Sequence, residues 1–590
     1  MADEHTQEIQ HMIDPSVPDL SPLETLRHSA AHIMAAAIKK LWPEAKLAFG
    51  PHTEEGFYYD IDMPHRLVPE DFERIEAGMQ AEVDGKHPFV KEEVTREAAI
   101  EMFTRWGETL KVEAIAAIPG DATLTLYRSG DFVDLCRGPH VTNTAQVRAY
   151  KIMSIAGAYW RGDETRPQLQ RVYGTAFTDR KELKEYLRML EEAKARDHRK
   201  LGKELGLFHF DPIAPASPFF TGRGTVVYNA LQAYVRQLYR KHGYEEIITP
   251  QIFDMELFKT SGHYDHYKDN MFSCTIDERE FGVKPMNCPG HCILFRQTRR
   301  SYRDLPVRFA DFGRLHRYER AGVTHGLTRV RSFAQDDAHV FCMADQVGDE
   351  IAKVTAMILE CYKTFGFDQP EVEVSTRPEA FLGERETWDR AEAALMASLD
   401  AAGLAYKINV GDGAFYGPKI DFKVRDALRR SWQLGTVQLD YQLPERFGLE
   451  FVAPDDSRGR PVMIHRAMLG SLERFFGVYL EHVAGRFPTW IAPVQVAVLP
   501  ITDAHHDWTH EVAAALQAAG LRVETDLRSE KLGLKIREAT LLRVPYMLVL
   551  GDKEVEACGV APRSRDGKTG ALEPLAEFVQ RLADEARVPG

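Results

Sequence analysis

No apolar run in this chain approaches ~20 residues, the length a helix needs to cross a bilayer, so no membrane-spanning helix is expected. The opening stretch, MADEHTQEIQHMIDPSVPDL, is acidic and lacks an apolar centre, which excludes a secretory signal there. Cysteine is scarce, seven in 590 residues at irregular spacing. That argues against a disulfide framework and for reduced thiols and a cytoplasmic location. Positive charge is short too, with a net −14 at pH 7. Overall charge thus argues against nucleic acid as a partner, although a local basic surface suffices for RNA. The rest is ordinary: 44% hydrophobic and 27% charged residues, in a length that suits three or four domains.

The most informative stretch is RFADFGRLHRYERAGVTHGLTRVRSFAQDDAHVF, Arg308 to Phe341. It reads as strand, loop, strand, with Gly322, His325, Gly326 and Arg329 in the loop. An antiparallel pair of this kind can hold a nucleotide. Arg317 would grip a phosphate, Glu319 the adenine amino group, and Phe333 would offer a face to the base. Asp337 and His339 alternate to one face, where a metal or polar substrate can sit.

Set beside KPMNCPGHC (Lys284 to Cys292) and MIHRAMLGSLERFFG (Met463 to Gly477), this stretch resembles the class II aminoacyl-tRNA synthetases, specifically the threonyl-tRNA synthetase family. Arg317 and Glu319 fall in the class motif 2 pattern, Gly470 to Arg474 in motif 3, and Pro250 where motif 1 has its dimer-interface proline. The resemblance runs from about Leu23 to the C-terminus. It implies zinc ligands at Cys288, His339 and His465, three ligands that leave a fourth position open. It implies ATP contacts, with Mg2+ on the phosphates, at Arg317, Arg474, Glu319, Arg329, Phe333 and Gln433. Threonine contacts fall at Met286, Gln335, Asp337, Tyr416 and Gln438, with Lys419 near the carboxylate and His263 near the terminal adenosine of tRNA. RSWQLGTVQLDYQLPERF reads as a strand with Gln433 and Gln438 on adjacent registers.

Taken in order, residues 1–20 are expected to be a disordered tail, leaving no room for the ubiquitin-like domain that many bacterial relatives carry. From Leu23 a helix is predicted, with Leu26, Ala30, Ile33, Met34, Ala37, Ile38 and Leu41 on one face. His28 and His32 are one turn apart on it, and CRGPH later places Cys136 and His140 four apart. By spacing alone, HxxxH…CxxxH suits zinc. It also resembles the editing domain shared by threonyl- and alanyl-tRNA synthetases, of which the alanyl type binds zinc and the threonyl type works without it. The reading is a water-positioning and base constellation, with Tyr59, Lys111 and Asp134 mapped into the same pocket and metal as the lesser option.

The expected organisation is multidomain, α+β and α/β. An α+β editing domain spans 21–177, a linker helix 178–200, and a class II antiparallel-sheet catalytic domain 201–491. An α/β anticodon-binding domain follows at 492–590, where strands and helices alternate. The family positions for anticodon contact fall on Ser529, where the family commonly has Asn, and on Arg537, Arg543, Glu554 and Arg563. The implied enzyme is a homodimeric threonine–tRNA ligase acting on ATP, L-threonine and tRNA(Thr). Two other readings stay open at this level: a zinc-dependent aminoacyl-tRNA hydrolase built on the N-terminal motif, and an RNA-binding paralogue without ligase activity.

Two selection problems explain two constellations. Threonine and valine are nearly isosteric, and a site that demands a hydroxyl partner rejects the analogue lacking it by roughly 10⁴ or more. Serine keeps the hydroxyl and loses one methyl, worth only ~1–3 kcal/mol, so a second, hydrolytic site is expected.

Overall fold

The strand Asp337–Cys342 is buried along its whole length, and the largest sheet is built outward from it. The computed structural model describes residues 20–119, 123–163 and 165–589; apart from Leu20, the tail expected at 1–20 lies outside the described residues. The eight strands run in the order Glu245–Glu246, Val307–Asp311, Asp337–Cys342, Val462–Ala467, Ser431–Asp440, Lys419–Arg425, Glu371–Ser375, Lys407–Asn409. Pairing is antiparallel except at the two ends of the sheet. This is the antiparallel catalytic sheet expected from the sequence. The apolar side chains of its buried strands pack with those of helices Gly222–Lys241, Val347–Thr364 and Leu472–His482 in one core.

Cross-strand register produces a single row: Phe309, His339, His465, Gln438, Lys419 and Ser375 are successive direct partners. Residues in such a row share a face, because side chains alternate strictly along each strand. Gln433 and Gln438, five apart, belong on opposite faces of a regular strand. A β-bulge opposite Phe422/Lys423 absorbs one residue, so Gln433 instead reaches Asp421 Oδ1 at 2.6 Å beside Thr436 at 3.2 Å.

Arg314–His316 pairs antiparallel with Ser332–Ala334, giving the strand, loop, strand read from the sequence. Arg317 and Glu319 lie just past the first strand, at the mouth of the loop. Asp336 ties this hairpin to the segment before helix Leu472–His482. Its carboxylate accepts from the N–H groups of Met468 (2.8 Å) and Leu469 (3.0 Å) and faces the fully buried Arg466 at 3.3 Å.

Each of the two compact units of the chain, which divide at Glu191/Glu192, has its own core. In the first, helix Pro22–Leu41 is started by a Ser21/Glu24 capping box, with Pro22 at its first position. It packs on a four-stranded sheet, with a separate three-stranded sheet formed by Phe89–Val94, Leu124–Ser129 and Phe132–Leu135. The charged helix Arg180–Arg196 buries no residue. It ends before residue 200, because Asp197 leaves helical geometry and caps a second helix, His198–Glu204, by accepting from Arg199 N at 2.8 Å. The C-terminal sheet is mixed: Val523–Thr525, Val496–Pro500 and Tyr546–Leu550 are parallel and Pro562–Ser564 is antiparallel.

Asp336→Ala would strand the Arg466 guanidinium and two backbone N–H groups in the core. The expected cost is about 3–5 kcal/mol, measured as a lower midpoint for the second unit in a urea titration followed by tryptophan fluorescence; an unchanged midpoint contradicts the tie.

Candidate functional site

Cys288 sits at the first position of helix Cys288–Gln297, and His339 and His465 are direct cross-strand partners in the sheet. All three are buried, and their ligand atoms lie within 4.8 Å of one another. His339 Nε2 and His465 Nδ1 face each other at 2.9 Å. Each ring is oriented from behind. His465 Nε2 bonds Asp440 Oδ2 at 2.9 Å, and His339 Nδ1 bonds His291 Nδ1 at 2.7 Å. A thiol and two imidazoles, each imidazole held by its other nitrogen, fit a zinc ion. Burial pushes the Cys288 thiol well above its usual range and holds the His339 imidazole well below its own. Without a cation the site is therefore uncharged at these groups, and a metal would have to displace the thiol proton. Cys292 takes no part: its sulfur lies 3.9 Å from Met463 Sδ in an apolar cluster.

Around this centre the substrate candidates converge. Asp337 accepts from Asn287 Nδ2 at 3.0 Å, and burial raises its pKa. Tyr416 Oη donates to Gln438 Oε1 at 2.6 Å, with its ring 5.0 Å from that of His465. His263 is fully buried between Ser261 Oγ (2.7 Å) and Met286 Sδ (3.0 Å), with Cys288 Sγ 4.0 Å away. Gln335 forms a backbone bridge with Ser471, joining the hairpin to the start of helix Leu472–His482. Lys419 stays charged: burial opposes this, but Asp421 at 2.9 Å and Asp412 at 3.0 Å prevail.

Beyond the sheet row lie the nucleotide candidates. The Arg317 guanidinium lies 5.1 Å over the Phe333 ring, and its Nε donates to Pro285 O at 3.2 Å. One face of Phe333, read as a platform for the base, is thus covered by arginine in this structure. Glu319 accepts from Arg329 Nε at 3.1 Å. Arg474 donates to Gln433 O and Thr328 O, each at 3.2 Å. Burial and the like charge of Arg329 lower its pKa, a strain that a polyanion between the two would relieve.

In the first unit, His28 Nε2 and His140 Nε2 each lie 3.3 Å from Cys136 Sγ, and Ser29 Oγ is 3.1 Å from His140 Nδ1. Tyr59 Oη donates to Asp134 Oδ2 at 2.5 Å, and Lys111 Nζ lies 2.5 Å from Asp134 Oδ1. His32 Nε2 completes the cluster 3.7 Å from Asp134. All seven residues therefore meet. Burial lowers His28 to about 3 and His32 to about 4, and raises Cys136 to about 12. Burial also works to raise Asp134, but Lys111 and His32 outweigh it, and the carboxyl falls below its usual range.

The anticodon candidates are more scattered. Ser529 and Arg537 are exposed, and Arg563 lies on strand Pro562–Ser564 opposite Met547. Glu554 accepts from Gly551 N at 2.9 Å, capping its own helix. Arg543 packs its stem against Gly485, where a Cβ would lie 3.1 Å from its Cδ and Nε. Sequence reasoning missed the orienting groups Asp440, Asn287, Asp421 and His291. Only His291 left a trace, three residues past Cys288 and so one helical turn from it.

Residues 272–483 match the tRNA synthetase class II core domain (G, H, P, S and T), residues 495–585 an anticodon binding domain, and residues 124–173 the threonyl and alanyl tRNA synthetase second additional domain. The threonine–tRNA ligase of Bdellovibrio bacteriovorus is 54% identical over 92% of this chain and 84% of its own. That of Symbiobacterium thermophilum is 52% identical over 95% and 86%. Among solved structures, the RNA binding domain of threonyl-tRNA synthetase from Cryptosporidium parvum superposes with a TM-score of 0.65 at 44% identity, covering 67% of this chain and 99% of that one. A putative threonyl-tRNA synthetase from Aeropyrum pernix gives 0.59 at 30%, covering 66% and 96%. With this identity over nearly its whole length, and with core, anticodon-binding and editing-associated domains together, the chain belongs to the threonine–tRNA ligase family.

Proposed function

We propose that this chain activates L-threonine with ATP, transfers it to tRNA(Thr), and clears seryl-tRNA(Thr) at a second site in its first unit. The observation that carries the reading is the sheet row: His339 and His465, joined by Cys288, stand in register with Gln438 and Lys419, with Arg317, Arg329 and Arg474 beyond. Activation joins a carboxylate to the α-phosphate and expels pyrophosphate, so catalysis is mainly positioning plus positive charge. Arg317 takes the α-phosphate, Arg474 the γ-phosphate, and Arg329 a further phosphate oxygen. Glu319 and Phe333 hold adenine, with Arg317 leaving the ring face as it turns to phosphate, and Gln433 stays near the nucleotide. Lys419 neutralises the threonine carboxylate. Mg2+ would supply further positive charge to the phosphates.

Cys288, His339 and His465 would hold zinc, which supplies an open position to the amine and hydroxyl of threonine. Asp337 accepts the substrate hydroxyl proton, a demand valine cannot meet. Met286, Gln335, Tyr416 and Gln438 shape the pocket around it, and His263 lies at the tRNA end. In the first unit His28, His32, Cys136 and His140, supported by Tyr59, Lys111 and Asp134, orient the hydrolytic water. Ser529, Arg537, Arg543, Glu554 and Arg563 serve the anticodon, with bases splayed and read at their edges.

The domain limits read from the sequence, a homodimer and a cytoplasmic location complete the reading. Ile248 (93% exposed) and Ile252 (57%) flank the exposed Pro250, an apolar edge suited to a second copy. No described helix is long and apolar enough to cross a membrane.

In ATP–pyrophosphate exchange, threonine should support turnover, serine less and valine none. Cys288→Ala should abolish exchange and lose zinc by elemental analysis; no exchange with any amino acid from zinc-loaded protein would overturn the reading. Hydrolysis of seryl-tRNA(Thr) should show no inflection near pH 6.5. His28 and His32 titrate at about 3 and about 4, so both are already neutral there and lose function only on further acidification. A rate that falls by half between pH 7 and 6 would assign the water-activating role to an exposed imidazole instead.

A further inference from the structure

The segment Asp197-His198-Arg199-Lys200-Leu201-Gly202 lies outside every motif used so far, yet His198 is 1% exposed and bonded on both ring nitrogens. Nε2 accepts from the backbone N–H of Leu327 at 2.9 Å. Since a backbone amide can only donate, Nε2 carries no proton, and Nδ1–H donates to Glu481 Oε1 at 2.6 Å. The backbone N–H of His198 reaches the same oxygen at 2.8 Å. Although Asp197, His198 and Glu481 place ligand atoms within 4.8 Å of one another, Glu481 is also ion-paired to Arg430. The group is a hydrogen-bonded lock.

What it locks is the nucleotide loop. Leu327 lies two residues before Arg329, and Thr328 O accepts from Arg474 Nη1 at 3.2 Å. Glu481 closes the C-terminal turn of helix Leu472–His482, whose N-terminal turn carries Arg474. Two glycines make room for the ring. A Cβ at Gly326 would lie 2.1 Å from His198 Nε2, at φ +47°, and one at Gly477 would lie 3.5 Å from the ring and 3.2 Å from Leu327 Cβ. The imidazole is thus wedged between the loop and the helix, bonded to both.

We propose that His198 is a positioning residue for ATP: by joining Leu327 to Glu481 it holds Arg329 and Arg474 at a fixed separation for the phosphates. It touches no substrate. The threonine pocket, anchored in the sheet row, does not depend on it. The proposal rests on the ATP reading above.

The test is threonine-dependent ATP–pyrophosphate exchange with His198→Asn and His198→Gln. Asn keeps a donor toward Glu481 but cannot reach Leu327; Gln carries its amide near the Nε2 position and can accept there. Losing one buried hydrogen bond should raise the KM for ATP about tenfold in His198→Asn, leave the KM for threonine within about twofold, and be partly rescued in His198→Gln. Circular dichroism identifies folded variants, and if Asn fails to fold, the Gln variant decides by the same ATP-against-threonine split. Equal changes in both KM values, a fall in kcat alone, or an unchanged KM for ATP in a folded variant would overturn the proposal. Wild-type protein without any exchange would overturn the ATP reading itself, a distinct result.

Discussion

Backbone hydrogen bonding across the antiparallel sheet is the constraint on which the active site depends. Once Asp337–Cys342 pairs with Val462–Ala467, His339 and His465 are direct partners; once that strand pairs with Ser431–Asp440, Gln438 joins them. A slip of one residue in any pairing would turn these side chains to the other face and dissolve the donor set. The register is held by burial on both faces of the central strands and by Asp336, which fixes Met468 and Leu469 to the neighbouring strand. Stability and chemistry here share the same hydrogen bonds.

The cationic part of the site is held differently. Arg317, Arg329 and Arg474 lie on the loop and on a helix N-terminal turn, outside the ladder, and are kept in place by carbonyl groups, Glu319 and aromatic faces. Arg317 and Arg474 are held by neutral carbonyl acceptors and Arg329 by the Glu319 carboxylate; on the proposed function all three would exchange these partners for phosphate. Lys419, by contrast, has two carboxylates within 3.0 Å and is positioned as a fixed charge. On the proposed function, the pocket that selects the amino acid is built on the sheet ladder and the nucleotide grip on the adjoining loop and helix, as expected when one substrate must be discriminated and the other only bound.

Much of this was legible in the chain, for identifiable reasons. The alternation of Asp337 and His339, the i,i+4 spacing of His28 and His32, and the helix predicted from Leu23, which the structure starts at Pro22, follow from local periodicity, which tertiary packing left intact. Joining Cys288 to His339 and His465 needed the family resemblance, because nothing local links positions so far apart. The shared face of Gln433 and Gln438 was illegible: a bulge in the ladder reverses parity without leaving any mark in residue type. Asp440, His291 and His198 were missed because a ring-orienting partner is defined by a three-dimensional contact. The anticodon positions show the reverse case, where Arg543 matches a family position but packs against Gly485.

The two His/Cys constellations contain the same residue types and differ in the groups that back them. At the sheet site the rings of His339 and His465 are backed by another imidazole and by Asp440, partners that take up the far nitrogens and leave the near ones free for a cation. In the first unit the carboxylate, Asp134, is committed to the ammonium of Lys111 and the phenol of Tyr59, and that buried ammonium opposes a second cation nearby. Cys136, held up at about 12, keeps its proton and shares it with flanking imidazoles. A network of neutral donors and acceptors around a fixed ion pair is what a water molecule needs in order to be held and relieved of a proton. On the proposed function, the choice between metal and water would be made by which neighbours the ligands already have, more than by the ligands themselves.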